Sequence, residues 1–303
     1  MAFRIKPGEA LPHAIRRMAR AELADARDVV TAPRRSVDER VHDVRTAIKK
    51  VRALIRMVKP EAPRRRIRRA DRRLKNVADA VSGARDAEVV LTTFDGVVRA
   101  MHESPGGSLA QARTRLDARL RASAGPMRRH RTTKKLYARL ARARQTVERW
   151  IPNEDRWCAV GPGLTDGYRR ARDAMAAARR SDSGVDYHAW RRAAKTHRHQ
   201  VHALVPVAPR KLKPRVDALD CLGDLLGEEH DLTVLEETIR GEQACFPDER
   251  HCDHLLHLIA QRRLRLRDRA RPMGEKLFGE RPSDFRDWLH ADFRAFRRRT
   301  AGR

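Results

Sequence analysis

The chain has 303 residues, 41% of them apolar, enough to bury a real core in one large or two medium domains. A formal charge of +28 calls for a polyanionic partner without choosing among DNA, RNA, anionic lipid and inorganic polyphosphate. No run of eighteen uncharged apolar residues exists, so no membrane span is expected, and MAFRIKPGEALPH lacks the apolar core of a secretory signal.

Ala, Leu, Arg and Glu abound, while β-branched and aromatic residues seldom occur in runs, which favours helices throughout. A first helix is expected over residues 9–30. The second starts after Ser36 or Asp38 as N-cap and ends at Pro60. The third runs from Pro63 to Ser82, and a fourth opens at Asp86, whose carboxylate suits the free N–H groups there, and reaches His102. Leu109–Arg121 and Met127–Trp150 follow, and IPNEDRW with CAVGPG reads as a linker. Beyond it come Leu164–Arg180, Tyr187–Val205, a helix ending near Gly227, another from Asp231 to Arg240, a long one over Asp248–Arg271, and Ser283–Arg299. The sum is two antiparallel helical bundles of related plan. The four cysteines form no CxxC pair and are expected as buried thiols of a reducing cytosol. His251, Cys252, His254 and His257 are expected on a helix surface, with no metal.

The second helix organises the rest. In VHDVRTAIKKVRALIRMV, Val41, Val44, Ile48, Val51, Ile55 and Val58 share one face. His42, Arg45, Lys49, Arg52 and Arg56 line its edge within an arc of about 80°. YHAWRRAAKTHRHQVHALV repeats this rail without gaps as His188, Arg191, Lys195, Arg198 and His202; His197 falls on the apolar side and reads as structural. One residue out of step, LKNVADAVSGARDAEVVLTTF from Leu74 matches LDCLGDLLGEEHDLTVLEETI from Leu219, setting Asp79 against Asp224 and Asp86 against Asp231.

VHDVRTAIKKVR with VSGARD, then YHAWRRAAKTHR with LLGEEHD, resembles the CHAD family of histidine-marked α-helical domains, from about Lys6 to Arg299. VSGARD departs from it by lacking the usual leucine-glycine pair. The resemblance implies an all-α fold: a single domain over 1–303, made of two four-helix-bundle halves, 6–150 and 160–299. A pseudo-twofold would relate the halves, with a basic groove or channel between them. It further implies inorganic polyphosphate as the partner and a cytoplasmic location on polyphosphate granules.

The residues themselves fit a condensed phosphate. Arginines on the rails fork onto adjacent oxygens, while Lys49 and Lys195 act as point charges. His42, His188 and His202 donate when neutral and gain charge as pH falls toward ~6.5. Further contacts are expected from Arg68, Arg72 and Lys75 in the third helix, and from Lys211 and Lys213, with Arg215, in its counterpart. Asp86 and Asp231 read as caps or as partners orienting an arginine. No Walker-type loop, HExxH, GxSxG or magnesium-holding carboxylate cluster occurs, so no catalysis and no cofactor are expected. The rival reading is a nucleic-acid backbone binder, which the charge would permit but which lacks base-reading or stacking groups in a chain with 5% aromatics.

Overall fold

The structure is a computed structural model and describes residues 3–32, 35–58, 64–79, 83–101, 107–123, 130–147, 156–246 and 248–301. Among them run eleven α-helices and no strand: α1 (Leu11–Val30), α2 (Val37–Val58), α3 (Arg64–Asp79), α4 (Gly83–Arg99), α5 (Gly107–Ser123), α6 (His130–Gln145), α7 (Gly161–Ser181), α8 (Gly184–Ala203), α9 (Pro209–Gly241), α10 (Glu249–Phe278) and α11 (Pro282–Ala301). No helix of the described residues is long and apolar enough to cross a membrane.

Local chemistry sets the ends of the two rail helices. Ser36 and Glu39 form a reciprocal capping box at the start of α2: Glu39 N–H donates to Ser36 Oγ (3.2 Å) and Ser36 N–H to Glu39 Oε2 (2.8 Å). Ser183 caps α8 by accepting from Val185 N–H. Two expected boundaries fail. The break between Gly227 and Asp231 does not occur, because α9 runs unbroken for 33 residues through both. Leu222, Leu226, Leu232, Leu235 and Ile239 stay buried at helical spacing across the glycine. That burial outweighs the roughly 1 kcal/mol that glycine costs a helix. Likewise α10 continues past Arg271 and through Pro272 to Phe278, since Ala270, Leu277 and Phe278 bury beyond the proline.

The buried side chains form two cores. The larger joins α1, α2, α3, α6, α7, α8 and α11 with the N-terminal part of α9 and the C-terminal part of α10. The smaller packs Val90, Phe94 and Val97 of α4 and Leu109, Ala112 and Leu116 of α5 against Leu232, Leu235 and Ile239 of α9 and Leu255 and Ile259 of α10. Residues before 150 and after 160 therefore contribute to both. The long helices α9 and α10 reach from one core into the other and carry α4 and α5 at their far ends.

The two rail helices pack directly on each other. Gln200 Nε2 donates to the Ala53 carbonyl (3.3 Å), and Arg56 Nη1 donates to Thr196 Oγ1 (2.9 Å). Glycines one turn apart in α7 let that helix seat closely against both rail helices: a Cβ on Gly163 would overlap the Met57 carbonyl of α2, and one on Gly167 the Gln200 amide of α8. Of the cysteines, Cys245 and Cys252 are buried in the smaller core, whereas Cys158 and Cys221 are exposed. Cys221 is exposed because it lies beside the Leu219–Leu222–Leu226 stripe rather than on it. Cys252 in turn belongs to the core and not to the surface expected for its histidine-rich neighbourhood.

Candidate functional site

Two adjoining cavities open beside the rails. One of about 570 Å³ is lined by Arg35, His42 and Asp43 of the α2 end, Glu88, Thr92 and Thr93 of α4, and Asp231 of α9. The other, about 330 Å³, is lined by Arg191 and Lys195 of α8, Gly223, Asp224, Gly227 and Asp231 of α9, and again Thr92 and Thr93. They share Thr92, Thr93 and Asp231 as walls. Gly223 and Gly227 leave α9 bare where the rail crosses it: Lys195 Cε and Arg191 Nη2 lie 3.4 and 3.5 Å from where a Cβ would stand. The walls are of mixed sign: Glu39, Asp43, Glu88 and Asp231 surround Arg35 and His42 in the first cavity, and Asp224, Glu228 and Asp231 face Arg191, Lys195 and Arg262 in the second.

On α2, His42 is exposed into the first cavity and Lys49 is exposed. Arg45 lies near enough to Arg191 for its charge to push the Arg191 guanidinium down. Arg52 forks onto Asp71 of α3 at 2.7 and 3.1 Å. Arg56 leaves the rail. Half-buried, it turns to Thr196, and burial followed by the charges of Arg52, Arg192 and Arg170 lowers its pKa.

On α8, burial lowers the pKa of both Arg191 and Lys195; Asp231 and Asp224 oppose this through space without hydrogen-bonding to either residue. Arg198 is bound to Asp220 (2.7 Å). His188 sits against His230, ring centroids 4.0 Å apart, and burial keeps both more weakly basic than a free histidine. His202 departs from its expected role. Its Nε2 accepts from Arg4 Nε (3.3 Å), its ring stacks on Phe3, and burial with Arg198, Arg4 and Lys50 nearby pushes it down to about 4. It is a neutral acceptor rather than a charge recruited near pH 6.5. His197 is buried among Tyr168, Phe278 and Phe285, structural as expected.

The outlying cations divide. Arg68, Arg72 and Lys75 are exposed on α3, and Arg68 and Lys75 flank Asp71, so the Arg52–Asp71 pair turns their edge toward α2. Lys213 shares a face of α9 with Asp220 and Asp224. Lys211 points the other way, with Nζ 2.7 Å from Asp292 and 5.1 Å from the Trp288 ring centroid, so it is not beside the rail. Arg215 is structural too, bonded to Glu280 and lying over the Tyr168 and Phe285 rings. Asp231 is no cap, because it lies inside the continuous α9, but its charge does act on Arg191 and Lys195. The side chain of Asp86 lies outside the described residues.

Sequence reasoning passed over Asp71, Asp220, Asp224, His230 and the α4 threonines. A signal for Asp71 was present: it is the lone acid in RRRIRRADRRLKN. Asp224 stood in the repeated block opposite Asp79.

The CHAD domain model matches residues 13–240, a shorter span than the motif resemblance suggested. Among solved structures, the chain is similar to the crystal structure of the CHAD domain from the plant Ricinus communis. The likeness has a TM-score of 0.62 at 16% identity, covering 91% of this chain and 95% of that one, and it is a likeness of fold. None of the curated proteins compared with the chain matches it. With the family model spanning most of its length, the chain belongs to the CHAD domain family.

Proposed function

We propose that this protein binds inorganic polyphosphate without turning it over, through the cationic edges of α2 and α8 and the groove beside them. The observation that carries the reading is the meeting of the two rails: Arg45 bears on Arg191 across the α2–α8 contact, and Lys49 and Arg198 both bear on the buried His199. A thin, flexible strand of phosphates lying along this line neutralises charges that now repel one another. Family membership supports the same ligand class.

The internal pseudo-twofold belongs to this proposal. The register that sets His42 against His188 also sets Arg56 against His202 and Lys50 against Thr196. Arg56 bonds Thr196, and Lys50 bears on His202, so the two contacts are counterparts. Granule association in the cytoplasm is the cellular form of the reading.

Competition titrations of long-chain polyphosphate, single-stranded RNA and duplex DNA at matched phosphate and physiological salt test it. Polyphosphate is expected to bind at least tenfold more tightly, about 1.4 kcal/mol. Equal affinity for RNA would leave only a generic polycation. Incubation with polyphosphate and Mg²⁺ should release no phosphate, and turnover lost in His42→Ala would overturn the non-catalytic part.

A further inference from the structure

Arg56 left the rail for a cavity of its own. This cavity, about 230 Å³, lies between α2, α7 and α8 and shares no lining residue with the two beside the rails. Arg56, Arg170 and Arg192 converge on it around Thr196, with Asp166 as its single acid. Asp166 is engaged already, 2.9 Å from Arg170 and 3.7 Å from Arg169. Among the described residues no carboxylate bonds to Arg56 or Arg192. Thr196 has no proton left to donate, since it accepts from Arg56 and donates to the Arg192 carbonyl (2.9 Å). Two guanidinium groups without acidic partners therefore face an open space beside a third.

The size and chemistry of that space select its occupant. It carries two positive charges in excess and has no aromatic side chain in its lining for a base to stack on. A nucleotide strand finds nothing to read there, whereas a compact, multiply charged phosphate finds several N–H donors in planar forks. The register used above locates the counterpart of Arg56 at His202. There Phe3 stacks on the His202 ring, Arg4 bonds it and Lys50 lies over Phe3, so the equivalent space is filled by the chain itself. Among the described residues the cavity at Arg56 therefore has no open counterpart at His202.

We infer that the Arg56–Arg170–Arg192 cavity is a separate site for a compact phosphate anion, either free pyrophosphate or the terminal phosphates of a longer chain, at one per protein. The terminal phosphate of a chain carries a charge that internal phosphates lack, and it shares with pyrophosphate the short, dense array of oxygens this cavity fits. The inference extends the polyphosphate reading but stands on different residues.

Calorimetric titration with pyrophosphate at physiological salt is the test. The wild type should bind one equivalent saturably. Arg56→Gln with Arg192→Gln should weaken this at least tenfold, while Arg191→Ala with Lys195→Ala should leave it within threefold and weaken long-chain binding instead. Because Arg56 is half-buried, Arg170→Gln with Arg192→Gln serves as a second variant that keeps the Arg56–Thr196 bond. Displacement of bound pyrophosphate by free-ended but not end-capped chains identifies the chain end as occupant, and displacement by neither identifies free pyrophosphate. The inference is overturned if the wild type shows no saturable pyrophosphate binding. It is equally overturned if both cavity variants bind as the wild type does, or if the rail variant alone loses pyrophosphate. Failure of the rail reading would look different: long chains bound no better than RNA, with the pyrophosphate site intact.

Discussion

Replacing Arg191 and Lys195 by methionine tests whether binding and apo stability pull in opposite directions. Both side chains lie in the cavity wall, both are driven toward their neutral forms by burial, and neither is hydrogen-bonded to a carboxylate among the described residues. Arg191 Nε is buried with no partner. Methionine keeps most of the apolar stem and removes the desolvated charge, which should stabilise the free protein by on the order of 1 kcal/mol per site. For a chain of this size that raises Tm by roughly 2–4 °C for the pair. Against polyphosphate each lost charge-assisted contact is worth roughly 1.5–3 kcal/mol, so affinity should fall at least tenfold, and by about a hundredfold to ten-thousandfold if the contacts are independent. Thermal melts of the free protein and titrations with long-chain polyphosphate read the two effects. The charge-matched control is Arg144→Ala with Arg180→Ala, both exposed; Arg179 is unsuitable because it pairs with Glu275. The control should change affinity less than threefold. If Arg191→Met with Lys195→Met melts lower than wild type and binds unchanged, or if the control loses as much affinity, the site is wrongly placed.

Asp71→Asn should free Arg52 from its fork and tighten long-chain binding two- to tenfold, measured by titration; weaker binding would mean that Asp71 holds Arg52 in its productive pose. Gly163→Ala should destabilise by about 3 kcal/mol or more in chemical denaturation, because the new methyl meets the Met57 backbone and no side chain can move aside. Stability should also fall with acid. His202 and His230 have folded values near 4, below the ~6.5 of an unfolded histidine, so the unfolded chain takes up more protons below that point. The stabilisation is complete above pH ~6.5 and is lost as pH falls toward 4, by roughly 1–3 kcal/mol per histidine. Melts between pH 7 and 5 should show the decline, and His202→Gln with His230→Gln should flatten it.

The helices and their order were legible because nearly every one buries a stripe at 3.6-residue spacing, and the rail was legible because its cations deviate from that norm. Ser36 was one of two N-caps expected for the rail helix, and the structure shows it in a reciprocal capping box with Glu39. What stayed hidden depends on contacts between distant segments. Gly227 punctuates a sequence, but in the fold it is the surface across which Arg191 lies, and the leucines around it carry the helix on. Lys211 and Lys213 are neighbours in sequence with different destinations, and only the position of α11 shows that Lys211 belongs to Asp292 and Trp288. Arg56 and His202 hold equivalent positions in the two rails, yet one lines an open cavity and the other is covered by Phe3. Residues far outside the repeat decide that difference.

The aspartates within this cationic site bear on its selectivity. Arg52 and Arg198 are held by Asp71 and Asp220, whereas among the described residues Arg191 and Lys195 have no bonded carboxylate. On the proposed reading an incoming polyanion meets the second pair first, gaining attraction without breaking an existing fork. Extending to Arg52 and Arg198 requires exchanging carboxylate for phosphate, which is nearly neutral for an isolated phosphate because one charge-assisted pair replaces another. The exchange becomes favourable when successive phosphates already lie in reach, so that each new contact forms at high effective concentration. In polyphosphate every phosphorus carries charge, with only a bridging oxygen to the next; in a nucleic acid a sugar intervenes. The acids thus weaken binding to sparse or flexible charge more than to a dense chain, and they convert a surface that any polyanion would visit into one that a condensed phosphate holds.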